Sequence, residues 1–463
     1  MADSKTIDVA EVIETRPWGG FAIGLIVVSW MVTVLDSFDM GAVSFAIDPM
    51  MATFHVGKVQ FGWVGTIGLM GVVVGGFLFG WLGDRLGRRP AVIASTAAFG
   101  VLTIAVAMAQ SFGQLLLLRF IDGIALGGAI PVLWALNLEY SPARFRATTI
   151  TLMMLGYGAG AVFTGPLVRL ILPHYGWRAI FLAGGAASVL FAVVLLLVLP
   201  ESARFLISRG RALGKARSLL ARLNPAHPLP EGAALVLSDE HKADRRPFKP
   251  AQLFEGQLKW VTVLVWLGYL ASSLSTWFLS FWGPQILKTM GLSPDHVAWL
   301  TSANGLFAMV GALVVMRFVD TKGPFAVAFT PAVAVPLLLI AGLAPVPVVA
   351  VLGILFVLSP FLGGAHYAIQ TVVGAYYPSA IRANASGWAS SFAKGLSMFG
   401  PAIGGVVVTA VQPIQRAYAL LAFCPLALAV CAVLLGLVVR RMPRTIPDPA
   451  HEAEAPALAQ PAE

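Results

Sequence analysis

The residues best suited to chemistry in this sequence are charged side chains stranded in apolar surroundings. Asp36 and Asp39 are spaced i, i+3, so they share one face of a helix. Carboxylates inside an apolar span normally face a cavity and mark a substrate or proton pathway. Crowded together out of water, one of such a pair can take up and release a proton during a transport cycle. The bland alternative, acids parked among headgroups at a helix end, suits Asp48 better than Asp36. Arg119 and Asp122 repeat the i, i+3 spacing on a later span. An intramembrane Arg needs a partner, which Asp122 or an aspartate of the first span can supply. This pair reads equally as a proton link or as a fixed structural ion pair. Lys394 lies among small residues in the middle of another span, where its ammonium could bind a carboxylate; the alternative is snorkelling toward an interface. His366, with Tyr367 and Gln370, makes a polar stripe on an apolar helix. Tyr269 lies among Trp266, Trp277 and Trp282, rings that could stack on an aromatic ligand or anchor a helix at the interface.

The elements that must hold these residues are membrane helices. Of 463 residues 58% are hydrophobic and 11% charged, against about 25% charged in soluble domains. At about 20 apolar residues per crossing, spans are expected near 21–47, 61–82, 91–110, 114–138, 147–170 and 178–199. A second set is expected near 258–283, 297–318, 324–343, 347–373, 383–410 and 416–439. The expected fold is therefore an all-α membrane protein of twelve transmembrane helices in two six-helix bundles, 19–199 and 257–440. A leading segment 1–18, a polar central loop 200–256 and a Pro/Ala/Glu-rich tail 441–463 flank them. The net charge of +9 could suggest nucleic acid, but the basic residues cluster in short connections between apolar runs, which argues against it. Those clusters place both termini in the cytoplasm. Cys424 and Cys431 sit seven apart in one apolar run, about 10 Å along a helix, too far for a disulfide. No ligand set for a metal, no phosphate-binding Gly-Lys-Ser/Thr loop and no nucleophile–base constellation is found, so no cofactor is expected. An electrochemical gradient is the remaining energy source.

The halves echo each other. Span 2 ends Gly80-Trp81-Leu82-Gly83-Asp84-Arg85-Leu86-Gly87-Arg88-Arg89, and span 8 ends Met316-Arg317-Phe318-Val319-Asp320-Thr321-Lys322-Gly323. Gly165-Pro166 in span 5 matches Gly400-Pro401 in span 11. Such internal repetition is typical of secondary transporters. The 80–90 stretch resembles the loop 2–3 signature of the major facilitator superfamily. Gly83 and Gly87 permit a tight turn, and Asp84 can pair with arginines nearby in a latch that breaks when the halves rock; Arg85, Arg88, Arg89, Glu139, Arg146 and Asp320 are its other candidates. A plain topology signal is the alternative.

Further motifs resemble the aromatic acid:proton symporters: Asp36-Ser37-Phe38-Asp39, Arg119-Phe120-Ile121-Asp122-Gly123, Pro200-Glu201-Ser202-Ala203-Arg204 and Tyr377-Pro378-Ser379-Ala380-Ile381-Arg382. Ser37 replaces that family's Gly, Lys394 stands where Arg is usual, and His366 falls near a frequent Gln. The resemblance implies a monomeric carrier of the bacterial cytoplasmic membrane, taking up a hydroxybenzoate-like acid with protons, with Asp36, Asp39, Arg119 and Asp122 in proton coupling. Lys394, Arg119, His366 and Tyr269 would bind the substrate. The rivals are a sugar or polyol carrier, another organic acid carrier, and a drug:proton antiporter.

Overall fold

The computed structural model describes residues 6–16, 19–210, 212–227, 229–230, 233–237, 249–322, 324–373, 376–377 and 379–441. The tail beyond 441 and the side chains of Asp320, Tyr367, Gln370 and Arg382 lie outside the described residues. The helices of the first half are α1 (Val9–Glu14), α2 (Gly20–Phe45), α3 (Ile47–Phe54), α4 (Lys58–Leu86), α5 (Arg88–Ala107), α6 (Phe112–Glu139) and α7 (Arg146–Val198). Two short helices, α8 (Ala203–Ser208) and α9 (Leu213–Leu223), follow. The second half holds α10 (Leu258–Thr289), α11 (Pro294–Lys322), α12 (Pro324–Leu343), α13 (Val348–Val373), α14 (Ser379–Ser397), α15 (Gly400–Ala410), α16 (Arg416–Leu421) and α17 (Phe423–Arg441).

Among the described residues, ten helical segments are long and apolar enough to cross a bilayer. One of them contains α7, whose backbone turns back at Gly176 (φ +73°, ψ 177°) and so makes two crossings. Gly is the residue that adopts such a φ without a Cβ clash. The 29-residue α11, seated between α7 and α13, is the twelfth. These are the twelve crossings expected, in two halves of six. The run expected as one span over 383–410 is divided between α14 and α15, because Pro401 lacks the N–H that a continuous helix would need there.

The expected polar central loop carries more structure than its composition suggested. Ala216, Leu219, Leu220 and Leu223 give α9 an apolar face, which buries against Val9, Val12 and Ile13 of α1. Thr6–Asp8 (β1) pairs in parallel with Ala234–Val236 (β2), Asn224 Nδ2 donates to the Val12 carbonyl at 3.0 Å, and Glu14 accepts the Ala143 N–H at 3.0 Å. The segment before the first crossing is thus tied to the underside of the first half.

Two seams position the site. Within the first half, Gly71 and Gly75 of α4 meet Gly123 and Gly127 of α6 backbone to backbone, so that any Cβ would collide with a facing carbonyl. Between the halves, several polar contacts of the described residues lie on the face away from the termini. Arg169 meets Asp295 at 2.6 Å, Gln285 Nε2 and Lys288 Nζ hold Asp48 at 2.7 and 3.4 Å, and the Ala402 N–H donates to Thr66 at 3.1 Å.

Candidate functional site

The α4–α6 seam brings α6 close enough to α2 for Arg119 to reach across. Its guanidinium grips Asp39 with two parallel bonds, Nη2 to Oδ2 at 3.0 Å and Nη1 to Oδ1 at 3.2 Å, and Nη1 also meets Asp122 Oδ2 at 3.0 Å. Thr103 Oγ1 of α5 donates to the other Asp122 oxygen at 3.3 Å, and the Phe181 ring lies 5.9 Å from the guanidinium carbon. Arg119, Asp39 and Asp122 are only 5%, 2% and 1% exposed. This fork geometry suits Arg and not Lys. The triad is sealed inside the first half.

Asp36, one turn earlier on α2, stands apart from it. Its Oδ2 accepts a 2.5 Å bond from Tyr157 Oη of α7, and it also lies within electrostatic reach of Asp39 and of Lys394 across the gap between the halves. Lys394 is exposed and lies within electrostatic reach of both Asp36 and His366. His366 Nδ1 bonds Ser272 Oγ at 3.0 Å, and the Tyr269 ring lies 6.0 Å from the imidazole, its hydroxyl bonded to Ser390. Side chains from α2, α6, α7, α10, α13 and α14 therefore converge on one central region. The first half supplies carboxylates and one captive Arg, and the second supplies an accessible ammonium beside aromatic and imidazole rings. Such a wall offers one accessible positive charge beside a phenol and an imidazole ring.

Two tryptophans of α10, Trp266 and Trp282, are engaged elsewhere. Trp282 is fully buried and donates to the Pro401 carbonyl at 2.8 Å. Trp266 stacks on Phe392 at 4.8 Å and lies parallel to Trp388 at 6.5 Å.

A second cluster lies at the membrane edge on the side of the termini. Arg88 meets Asp84 at 3.1 Å and Glu139 at 3.0 Å, and donates to the Gly83 carbonyl at 2.9 Å. Glu201 accepts the backbone N–H groups of Arg88 and Arg89 at 2.9 and 3.3 Å, a carboxylate seated on the first turn of α5. Gly87, at φ +111°, has Glu201 where a Cβ would be, so no other residue fits that turn. Burial pushes the Tyr140 phenol above its ordinary range. It stays protonated, donating to the Glu201 carbonyl at 2.5 Å and accepting from the Ala203 N–H at 3.0 Å. Two basic candidates have other partners: Arg85 lies on Trp81 at 4.3 Å, and exposed Arg146 donates to the Ser141 carbonyl at 3.4 Å. Arg89 spends its side chain on the Leu196 carbonyl.

Asp36, Asp39, Arg119, Asp122, Lys394, His366 and Tyr269 are thus brought together, as are Gly83, Asp84, Gly87, Arg88 and Glu139 at the edge. Sequence reasoning missed Tyr157, Ser272 and Glu201. Glu201 was visible as the acid of the Pro200-Glu201-Ser202 motif. Tyr157 had a fainter signal, a lone hydroxyl between glycines at 156 and 158.

Comparison with known proteins agrees with this architecture. The family model described as Major Facilitator Superfamily matches residues 29–264 and 265–462. The chain is 31% identical to a gallate transporter of Pseudomonas putida, over 87% of this chain and 89% of that protein. It is 28% identical to the 4-hydroxybenzoate transporter PcaK of the same organism, over 86% and 88%. Among solved structures, the xylose transporter XylE from E. coli, in a partially occluded inward open conformation, superposes with a TM-score of 0.70 at 17% identity. That match covers 92% of this chain and 99% of that one.

Proposed function

Because this chain belongs to the major facilitator superfamily, a class of membrane transporters and not of enzymes, we propose that it carries a small aromatic carboxylate into the cell together with protons. The observation that carries this reading is that Lys394 of the second half lies within electrostatic reach of Asp36 of the first. Three carboxylates, Asp36, Asp39 and Asp122, face two cations, Arg119 and Lys394, which leaves one negative charge when all are ionised. Adding an anionic substrate to such a region is unfavourable at low dielectric unless a proton comes with it. Arg119 is committed to Asp39 and Asp122, so Asp36 is the carboxylate free of a guanidinium. A proton on Asp36 releases Lys394 from its competing anion and makes it available to the substrate carboxylate. Binding and protonation then favour each other by linkage, and a pH gradient drives accumulation. The two bundles, 19–199 and 257–440, alternate about this region, and both termini face the cytoplasm of a bacterial inner membrane. The aromatic substrate class is supported by the names of the relatives and by the rings beside Lys394.

The test is uptake into proteoliposomes of a panel holding hydroxybenzoates, an aliphatic acid and a sugar, with and without an inward proton gradient. Gradient-dependent uptake of the aromatic acids is expected. Uptake of the sugar alone, or export in exchange for protons, would replace this reading by one of its rivals.

Arg88 organises the cluster at the membrane edge, far from the substrate region, so it is proposed to govern switching between states. Arg88→Ala frees Asp84 and Glu139 together and should lower turnover several-fold, with little change in substrate affinity. Comparing equilibrium binding with initial uptake rate checks this. Unchanged turnover with lost binding is the contrary result.

A further inference from the structure

One stretch of α7 connects the candidate proton site with the seam between the halves. Gly156 and Gly160 lie on one helix face, against Trp30, Thr33, Val34 and Ser37 of α2. Gly158 lies on the opposite face, against Gly305 and Met309 of α11 in the other half. A helix with small residues on both faces can be gripped from both sides at close range. Between these glycines, Tyr157 is pinned to α2 twice: its hydroxyl donates to Asp36 at 2.5 Å, and its carbonyl accepts from Ser37 Oγ at 2.8 Å. One turn on, Ser302 of α11 donates to the Val162 carbonyl at 2.7 Å, so the same helix is also held by the second half.

We propose that Tyr157 is the positioning residue through which protonation of Asp36 is felt at the α7–α11 seam, with Ser37 as its second anchor. This rests on the proton-coupled reading above. A phenol donates strongly to a carboxylate and weakly to a neutral acid. Protonation therefore loosens one of the two hydrogen bonds by which Tyr157 ties α7 to α2, and α7 is the helix that packs on α11 of the second half. The groups facing Asp36 are consistent with a local signal. Asp39 on its own helix is neutralised by Arg119, which with Asp122 comes from α6. Lys394 comes from α14, and behind it His366 from α13. The α5 wall offers Ser95, Thr96 and Phe99. On α10, Tyr269 is bonded to Ser390 and Lys288 to Asp48.

The test uses the full chain in nanodiscs, with spin labels at Arg222→Cys and Glu255→Cys and with Cys424 and Cys431 replaced by Ser. Each label rides on one half. In the otherwise unaltered protein, the ratio of near to far distances should change between acid and alkaline buffer. With Tyr157→Phe that change should shrink roughly tenfold, the weight of one charge-assisted hydrogen bond, while binding of 4-hydroxybenzoate persists. A Tyr157→Phe protein that binds and responds to pH like its parent overturns the proposal. Should Tyr157→Phe fail to bind, Ser37→Ala decides: a partial flattening supports the role, and a parental response overturns it. A parent protein with no gradient-driven uptake of 4-hydroxybenzoate removes the transport reading and this proposal together. A coupled parent with an equally responsive variant removes only Tyr157.

Discussion

Asp36→Asn should abolish accumulation driven by a pH gradient while leaving substrate exchange intact. Asn keeps the size of Asp36 and can still bond Tyr157, but it cannot release a proton. With one proton per substrate, a gradient of about one pH unit sustains about a tenfold accumulation. The variant should fall to a ratio near one, measured as radiolabelled aromatic acid inside against outside proteoliposomes. Its exchange of labelled for unlabelled acid at equal pH should persist, since Lys394 no longer faces an ionised Asp36. Parental accumulation by Asp36→Asn would take Asp36 out of the coupling step. Asp39→Asn is expected to behave differently, although the two aspartates look alike in the sequence. Asp39 holds both terminal nitrogens of a buried guanidinium, and removing one partner of a buried pair costs about 3–5 kcal/mol. Its main signature should be a lower thermal midpoint in detergent, with binding and exchange lost in proportion to the folded fraction.

That difference marks how far the sequence could be read. Composition and the spacing of apolar runs located the crossings to within a few residues, because a bilayer demands long uninterrupted helices and leaves few alternatives. The α9 apolar face and the β1–β2 pairing escaped notice, since both depend on contacts between chain segments more than 200 residues apart. Within the site, i, i+3 spacing put Asp36 with Asp39 and Arg119 with Asp122. Spacing along one helix says nothing of which aspartate the Arg selects. That is decided by the α4–α6 glycine seam, which sets how near α6 lies to α2. Tyr157 was missed for the same reason: its partner is on another helix, 121 positions away. Lys394 was singled out as a charge among small residues in mid-span, yet only the fold brings Asp36 within its electrostatic reach.

Lys394 is also where the proposed substrate class is most exposed to test. Arg119 is sealed in its triad, which leaves Lys394 as the accessible cation in the central region among the described side chains. Lys394→Gln keeps a hydrogen-bond donor there and removes the charge. The loss of a charge-assisted hydrogen bond, taken at about 1.5 kcal/mol because Lys394 is exposed, is roughly tenfold in affinity. Aromatic acids should therefore bind at least that much more weakly, whereas the corresponding aromatic amides, which carry no charge, should be little affected. Lys394→Arg should retain binding of the acids, with a changed ranking among ring-substituted ones, because a planar fork approaches a carboxylate differently from a point charge. Calorimetry on purified, folded variants with 4-hydroxybenzoate and its amide reads both effects at once. Equal losses for acid and amide would mean that Lys394 only shapes the cavity. Parental affinity of Lys394→Gln for the acid would remove Lys394 from the substrate site, and would require Arg119 to leave Asp39 before an anion could bind.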